Sequence, residues 1–112
     1  MAHYAVFMYA PSDDGGVEPT PEDLAVHDRH AEALRSSGAS RAAFALEDPA
    51  TATSIRGNVI TDGPFLEAKE IIVGVYVIEV PDLDAALAIA RQNPILQQGG
   101  GVEVRPIAGI SF

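Results

Sequence analysis

Two histidines and one aspartate in this chain are residue types suited to moving a proton. His27 and His30 lie three residues apart in a helical pattern, and Asp62 opens the run Asp-Gly-Pro-Phe. An imidazole titrates near pH ~6.5, so it can give or take a proton near neutrality, and a nearby carboxylate can orient it. The sequence therefore predicts general acid–base chemistry, with His27 as the proton-transfer group and Asp62 as its orienting partner.

The helix that carries both histidines is predicted over residues 21–37. Thr20 suits the N-cap and Gly38 ends the helix. Spacings of three and four residues predict one inward stripe, which consists of Leu24, His27, Ala31 and Leu34. His30 is expected on the flank of this stripe. A partly buried imidazole needs a polar partner, which is Asp62 in a functional site or a backbone carbonyl in a purely structural one.

The turn at Asp62 removes the usual local partner of an aspartate. In most turns the carboxylate accepts the backbone N–H two residues on, but here that residue is Pro64, which has no N–H. The structural alternative is a cap on the N–H of Phe65. Gly63 can adopt a backbone conformation that other residues avoid, and it leaves room for a ligand to approach.

Ligand binding is assigned to residues around the predicted pair, namely His30, Gly63, Pro64, Phe65 and Lys69. Lys69 is the only lysine, and with its acidic neighbours it either lines the entrance or belongs to a solvated, salt-linked segment. Two histidines at i, i+3 lack the i, i+4 spacing of metalloprotease helices, so no metal is expected. The glycines at 99–101 match no nucleotide-binding motif, and no cofactor is expected.

Composition limits the class of protein. A chain of 112 residues with 47% hydrophobic and 21% charged residues fits a single domain over residues 1–112. The net charge of −9 and seven scattered Lys and Arg disfavour nucleic acid as a partner. Without cysteine there is neither a disulfide framework nor a thiol nucleophile. No signal peptide and no membrane-spanning run is recognised, so a cytoplasmic location is expected.

The order of predicted elements indicates an α+β fold. A strand over 3–10 precedes the first helix, and a short strand at 41–46 and a hairpin around Gly57 follow it. The most apolar strand, 71–80, leads into a second helix capped by Asp82, and the closing strand begins at the glycines of 99–101. This is the order of a ferredoxin-like βαββαβ sheet, in which the first and third principal strands are central.

The two central strands also predict the assembly. Both are apolar at nearly every position, although a sheet covered by helices on one face only should alternate between apolar and polar residues. Two helices cannot cover both faces of a four-stranded sheet. We therefore expect a homodimer in which two sheets pack face to face and enclose a pocket for an unknown small-molecule ligand.

Several segments together resemble the DGPF type of the YCII-related family over nearly the whole chain. They are HYAVFMYA, PATATSIR, TDGPFLEAKEIIVGVYVIEVPDLDAALAIARQNP and GGVEVRPI. The resemblance implies a dimeric α+β barrel and an enzyme with a histidine and aspartate pair and no assigned substrate. The family's helix histidine stands eleven residues before a helix-ending glycine, which corresponds here to His27, and its motif aspartate corresponds to Asp62. His30 departs from the family pattern, which more often has an aromatic residue there.

Two classes of function follow from these observations. The first is a small-molecule enzyme that uses the His27 and Asp62 pair in the pocket of a dimeric α+β barrel. The alternative is a non-catalytic dimeric module that senses a ligand or presents an interaction surface, and the resemblance connects related domains with sigma-factor regulation. The two differ in whether His27 and Asp62 meet beside an accessible cavity.

Overall fold

A computed structural model describes residues 1–11, 20–64 and 70–111 of the chain. The strands are β1 (Ala2–Pro11), β2 (Ser40–Ala45), β3 (Thr53–Arg56), β4 (Val59–Asp62), β5 (Glu70–Val80) and β6 (Gly101–Pro106). The helices are α1 (Pro21–Ser36) and α2 (Leu83–Ala90), and single 3₁₀ turns lie at Pro49–Thr51 and Pro94–Gln97. Within these ranges, neither helix is both long enough and apolar enough to cross a membrane.

Both helices begin where their capping residues predict. Thr20 and Asp23 form a reciprocal capping box, in which each backbone N–H donates to the other side chain. Asp82 caps α2 by accepting the backbone N–H of Ala85 at 2.9 Å. After α1, Gly38 has a φ of +81°, a conformation that favours glycine and turns the chain into β2.

The principal sheet has the strand order β2-β5-β1-β6, and every neighbouring pair is antiparallel. The first and third principal strands, β1 and β5, are therefore central, which confirms the ferredoxin-like α+β arrangement. The predicted hairpin is also present: β3 and β4 are joined at Gly57, which has a φ of +59°, and they form a separate two-stranded sheet.

A bulge interrupts the central pair of strands. Met8 lies opposite Gly74 but Tyr9 lies opposite Ile72, so β5 has one extra residue at this point. Gly74 also admits a close neighbour, because a Cβ atom placed on it would lie 3.1 Å from the carbonyl oxygen of Phe44. A bulge and a close backbone neighbour therefore occur together at this glycine, as is common for a glycine inside a strand.

The core lies between one face of the sheet and the two helices. We call this the core face. Its buried side chains are Tyr4 and Val6 from β1, Tyr76, Ile78 and Val80 from β5, Leu34 from α1, and Ala86 and Ala90 from α2. Val6 and Ile78 are 0% exposed. Tyr4 lies opposite Ile78 and Val6 opposite Tyr76, which stacks the side chains of the central strands under the helices.

Alternate residues of the same strands point away from the helices. We call this the open face, and at its centre lie Ala5 and Phe7 of β1 with Val75 and Val77 of β5. Phe7 lies opposite Val75 and Ala5 opposite Val77, and all four are only partly buried. The central strands are thus apolar on both faces, but the described helices cover only one of them.

Candidate functional site

The helix α1 presents a different face to the sheet from the one that its sequence predicts. Of the four residues in the predicted stripe, Leu34 is buried, but Leu24 is 53% exposed and Ala31 is exposed. The helix packs partly against the 3₁₀ turn at Pro94–Gln97. His30 meets Tyr76 of the sheet, and His27 meets Gln98 in the segment that follows the 3₁₀ turn.

His27 is held by a side chain that the sequence did not indicate. Its Nε2 atom lies 2.8 Å from Oε1 of Gln98, and the imidazole is only partly buried. An amide oxygen can only accept a hydrogen bond, so in this arrangement Nε2 carries the proton. In the neutral ring Nδ1 is then the basic atom, which leaves His27 oriented and able to accept a proton.

His30 lies one turn further along α1 and deeper in the molecule. Its ring meets Tyr76 edge to face, with 6.2 Å between ring centroids and an interplanar angle of 76°. The Nε2 atom is buried and forms no hydrogen bond with any described residue. Burial lowers the pKa of His30 below its ordinary value, and the charge of His27 lowers it further. His30 is therefore biased toward the neutral form.

Two more buried polar atoms lie beside His30. The hydroxyl of Tyr76 and the Nδ2 atom of Asn93 also form no hydrogen bond of normal geometry within the described ranges, and these residues are 4% and 1% exposed. Asn93 cannot reverse its amide without cost, because its Oδ1 accepts the backbone N–H of Ile95 at 3.0 Å. Burial raises the pKa of Tyr76, and the adjacent Asn93 amide partly opposes that rise.

The turn at Asp62 is fixed by its backbone. Gly63 has a φ of +95°, which confirms the expectation that this glycine uses a conformation other residues avoid. Its N–H donates to the carbonyl oxygen of Ala52 at 2.7 Å, and its own carbonyl accepts the hydroxyl of Ser54 at 2.6 Å. Asp62 itself is exposed at the end of β4, opposite Thr53.

Three of the ligand-binding assignments can be placed, and two lie outside the described residues. His30 lines a cleft of about 450 Å³ between α1, α2 and the end of β5, together with Leu34, Ile89 and Gln92. Pro64 lines a second cavity of about 600 Å³, and Gly63 is the turn glycine that precedes it. Phe65 and Lys69 fall in residues 65–69, which the structure does not describe.

The two predicted catalytic residues are not in contact with each other in residues 1–11, 20–64 and 70–111. Pro64, two residues after Asp62, shares its cavity with Tyr9 and Glu70, at the end of β1 and the start of β5. Gln98, the partner of His27, comes just before β6, whose first residue lies opposite Tyr9. Chain neighbours or partners of both residues therefore lie toward Tyr9, but the pairing of His27 with Asp62 stays a prediction.

Sequence reasoning missed two of the side chains that surround the histidines. Asn93 had a usable signal, because an asparagine before Pro94 is a typical cap of a new helical turn, and the structure shows this cap. Nothing in the sequence marked Gln98, since a surface glutamine in a glycine-rich connection has no periodic or motif signature. Tyr76 lies in the apolar run of β5, and its hydroxyl is buried in the same part of the core as His30.

Comparison with known proteins bears on the family. A family model described as the YCII-related domain matches residues 2–111. A stretch of 54 residues is 44% identical to a protein from Rhizobium meliloti (strain 1021) called "Uncharacterized protein R00369". This match covers 45% of the present chain and 41% of that relative, so the chain spans less than half of its length.

Proposed function

The chain belongs to the YCII-related family, and on that premise we propose that it is a small-molecule enzyme that works by general acid–base catalysis. His27 transfers the proton, Asp62 assists as a carboxylate at the same end of the sheet, and the active unit is a homodimer. The observation that carries this function is the hydrogen bond between His27 and Gln98, which leaves a partly exposed imidazole in one orientation.

The geometry around His27 supports the role of a base. The Oε1 atom of Gln98 accepts the hydrogen bond that Nε2–H donates, so Nδ1 of the neutral ring is free to accept a proton from a substrate. Such a group contributes about 10² to 10⁴-fold to a rate when it is well positioned. Gln98 acts through His27 and is therefore a positioning residue.

Asp62 lacks a contact with His27 in the described residues, and its proposed role follows from its location. The Gly63 backbone ties the end of β4 to β3, so Asp62 is carried on a well-defined turn. Pro64, two residues later, lines the cavity at the end of the sheet. A carboxylate at that position can bind a polar group of the substrate or approach His27 when the substrate is bound.

The open face supports the homodimer. Its centre is apolar, and its two ends have polar side chains that are already paired: Tyr9 with Glu103 at 3.1 Å and His3 with Glu79 at 3.1 Å. An apolar centre surrounded by a polar rim is the usual composition of a stable protein interface. A second copy related by two-fold symmetry would cover this face with an identical one.

Substrate screening with matched variants tests the catalytic role. We expect the wild-type protein to turn over one member of a panel of small polar metabolites, and His27→Ala and Asp62→Ala each to lose at least ~100-fold in kcat/KM. Asp28→Ala, an exposed carboxylate next to His27, serves as the control and should retain activity. Full activity in both His27→Ala and Asp62→Ala would eliminate this function.

One observation favours a second function, a non-catalytic dimeric module that senses a ligand. A preformed catalytic pair would be in contact, but Asp62 and His27 are not paired in the described residues. Isothermal titration with the same metabolite panel separates the two functions. A metabolite that binds without being converted, and whose affinity is the same in His27→Ala, supports the sensing module.

A further inference from the structure

We propose that His30, Tyr76 and Asn93 form a binding site for the hydroxyl or primary amide group of a small uncharged molecule. The site is separate from His27 and Asp62, and it does not depend on the catalytic role proposed above. Its three residues come from α1, β5 and the segment between α2 and the 3₁₀ turn. Binding there needs no turnover and can be measured directly.

The first support is the convergence of unpartnered polar atoms. Nε2 of His30, the hydroxyl oxygen of Tyr76 and Nδ2 of Asn93 are each buried, and none forms a hydrogen bond of normal geometry with a described residue. They lie together: the His30 ring meets Tyr76 edge to face, and the Asn93 amide lies close enough to the Tyr76 hydroxyl for a weak hydrogen bond, although the geometry is not that of a normal one. Buried polar groups without partners are costly, so three in one place indicate a group that they bind together.

The second support is the complementary chemistry of the three atoms. Asn93 Nδ2 can only donate, and its orientation is fixed because Oδ1 accepts the N–H of Ile95. The Tyr76 hydroxyl can donate or accept, and a neutral imidazole nitrogen can accept. A hydroxyl or a primary amide satisfies both groups. Its oxygen accepts a hydrogen bond from Asn93, and its O–H or N–H₂ donates one to His30.

The third support is that the surroundings disfavour charge. The core beneath the site is apolar, and Val6 and Ile78 are fully buried. Burial lowers the pKa of His30 and raises that of Tyr76, so both groups are biased toward their neutral forms. At these buried atoms a carboxylate or an ammonium ion would lose its hydration without meeting a free opposite charge, because Glu79, the carboxylate that lines the cleft, is already paired with Arg41. An uncharged hydroxyl or amide would not carry this cost.

Access to the site runs through the cleft between the helices. His30 is the residue shared by the buried cluster and the cleft of about 450 Å³ that Leu34, Ile89 and Gln92 also line. The imidazole therefore lies at the cleft, while its Nε2 atom is buried. Tyr76 and Asn93 are not among the described residues that line the cleft, so a molecule there contacts His30 first and reaches them when the ring rotates about its side-chain torsions.

Nuclear magnetic resonance of histidine-labelled protein tests the site with three probes of similar size. Acetamide both donates and accepts hydrogen bonds, acetone only accepts, and acetate is charged. We expect acetamide to shift the His30 ring resonances saturably and to bind more tightly than the other two. Tighter binding by acetate would overturn the uncharged ligand class, and equal binding by acetone would overturn the hydrogen bond to His30.

Two conservative variants decide whether the named atoms form the site. Tyr76→Phe and His30→Gln should each weaken acetamide binding about tenfold, whereas Tyr4→Phe should leave it unchanged. Tyr4 is the matched control, because it is also buried on the core face. In His30→Gln the His30 resonances are lost, so acetamide binding is followed there by the ring resonances of Tyr76.

The thermal stability of Tyr76→Phe provides a measurement that does not require a ligand. Removing a buried hydroxyl that has no partner should raise the melting temperature by a few degrees, because its desolvation cost disappears. A lower melting temperature would show that the hydroxyl already has a partner, and an absent acetamide shift at His30 would show that the cluster binds no such group. Either result overturns the site.

Discussion

The core face and the open face of the sheet are built from the same two strands but are completed differently. On the core face, Val6 and Ile78 are sealed under α1 and α2. On the open face, Phe7 and Val75 lie opposite each other on the same two strands and are only partly buried. The side chains are equally apolar, so the difference lies in what covers them. The chain provides a second layer for one face, and we propose that another copy provides it for the other.

The two faces also differ in whether their polar groups are paired. At the ends of the open face the polar groups are paired, as Tyr9 is with Glu103. Glu79 is paired too: its hydrogen bond with Arg41 lowers its pKa, and the charge of His3 lowers it to a lesser extent. On the core face His30 and Tyr76 are unpaired in the described residues. Paired polar groups around an apolar centre suit an interface, and unpaired polar groups beneath a cleft suit a ligand.

The largest effect is expected from a charge placed at the centre of the open face. In Val75→Glu a carboxylate would be buried against an identical apolar surface, so we expect the dimer dissociation constant to rise at least ~100-fold. Sedimentation velocity over a micromolar concentration series measures it. Ala88→Glu, on the exposed side of α2, is the control. A wild-type protein that sediments as a folded monomer would remove the proposed difference between the faces.

The next effect compares two neighbouring residues of β5. Ile78→Ala removes a fully buried side chain from the core face and should lower the free energy of unfolding by about 2 to 5 kcal/mol. Val77→Ala, on the open face, should cost less than ~1 kcal/mol when measured in the monomeric Val75→Glu background. Urea denaturation measures both. Equal losses would mean that the two faces are equally packed within one chain.

Most of the fold could be predicted because its signals are local. Thr20, Gly38, Gly57 and Asp82 each act through their immediate neighbours, and the structure shows the predicted cap or turn at all four. The order of strands then follows from the ferredoxin-like pattern. The predicted helix face was wrong for a non-local reason, since the histidines of α1 contact side chains far along the chain, Tyr76 and Gln98.

The candidate site was less predictable for the same reason. The sequence identified both histidines and the turn glycine Gly63, whose side-chain chemistry and backbone freedom depend on residue type. It predicted His27 on the inward stripe and His30 on its flank, whereas the buried Nε2 atom belongs to His30. The arrangement depends on Gln98, which is 71 residues from His27, and on Tyr76, which lies on a distant strand. The pairing of His27 with Asp62 stays a prediction.

A smaller and more local effect on stability is expected from a substitution at Gly100, just before β6. A Cβ atom on Gly100 would lie 2.2 Å from the carbonyl oxygen of Tyr9 and 2.6 Å from a side-chain carbon of Ile95. Because backbone must shift to relieve the first contact, Gly100→Ala should cost about 1 to 3 kcal/mol of stability. Gly101→Ala is the matched control, since a Cβ there meets nothing within 4 Å. Similar melting temperatures for the two variants would contradict this close packing.

The smallest effect is the pH dependence that His30 adds to the core face. Its pKa in the folded protein lies below the ordinary value of 6.5, so the unfolded chain takes up the proton first as the pH falls. The stability that neutral His30 contributes is complete above pH 6.5 and is lost as the pH falls toward the folded pKa. We therefore expect His30→Gln to flatten the decline in stability below that pH, measured by urea denaturation at several pH values.

The same titration distinguishes burial from the influence of the neighbouring histidine. Burial is the larger cause of the lowered pKa of His30, and the charge of His27 is the smaller. In His27→Gln the His30 resonances should therefore titrate at a slightly higher pH, but still below 6.5, because Tyr76 and the core continue to cover the ring. A His30 that titrates at its ordinary value in this variant would mean that the ring is not buried against the sheet, and the contrast between a paired open face and an unpaired core face would lose its main example.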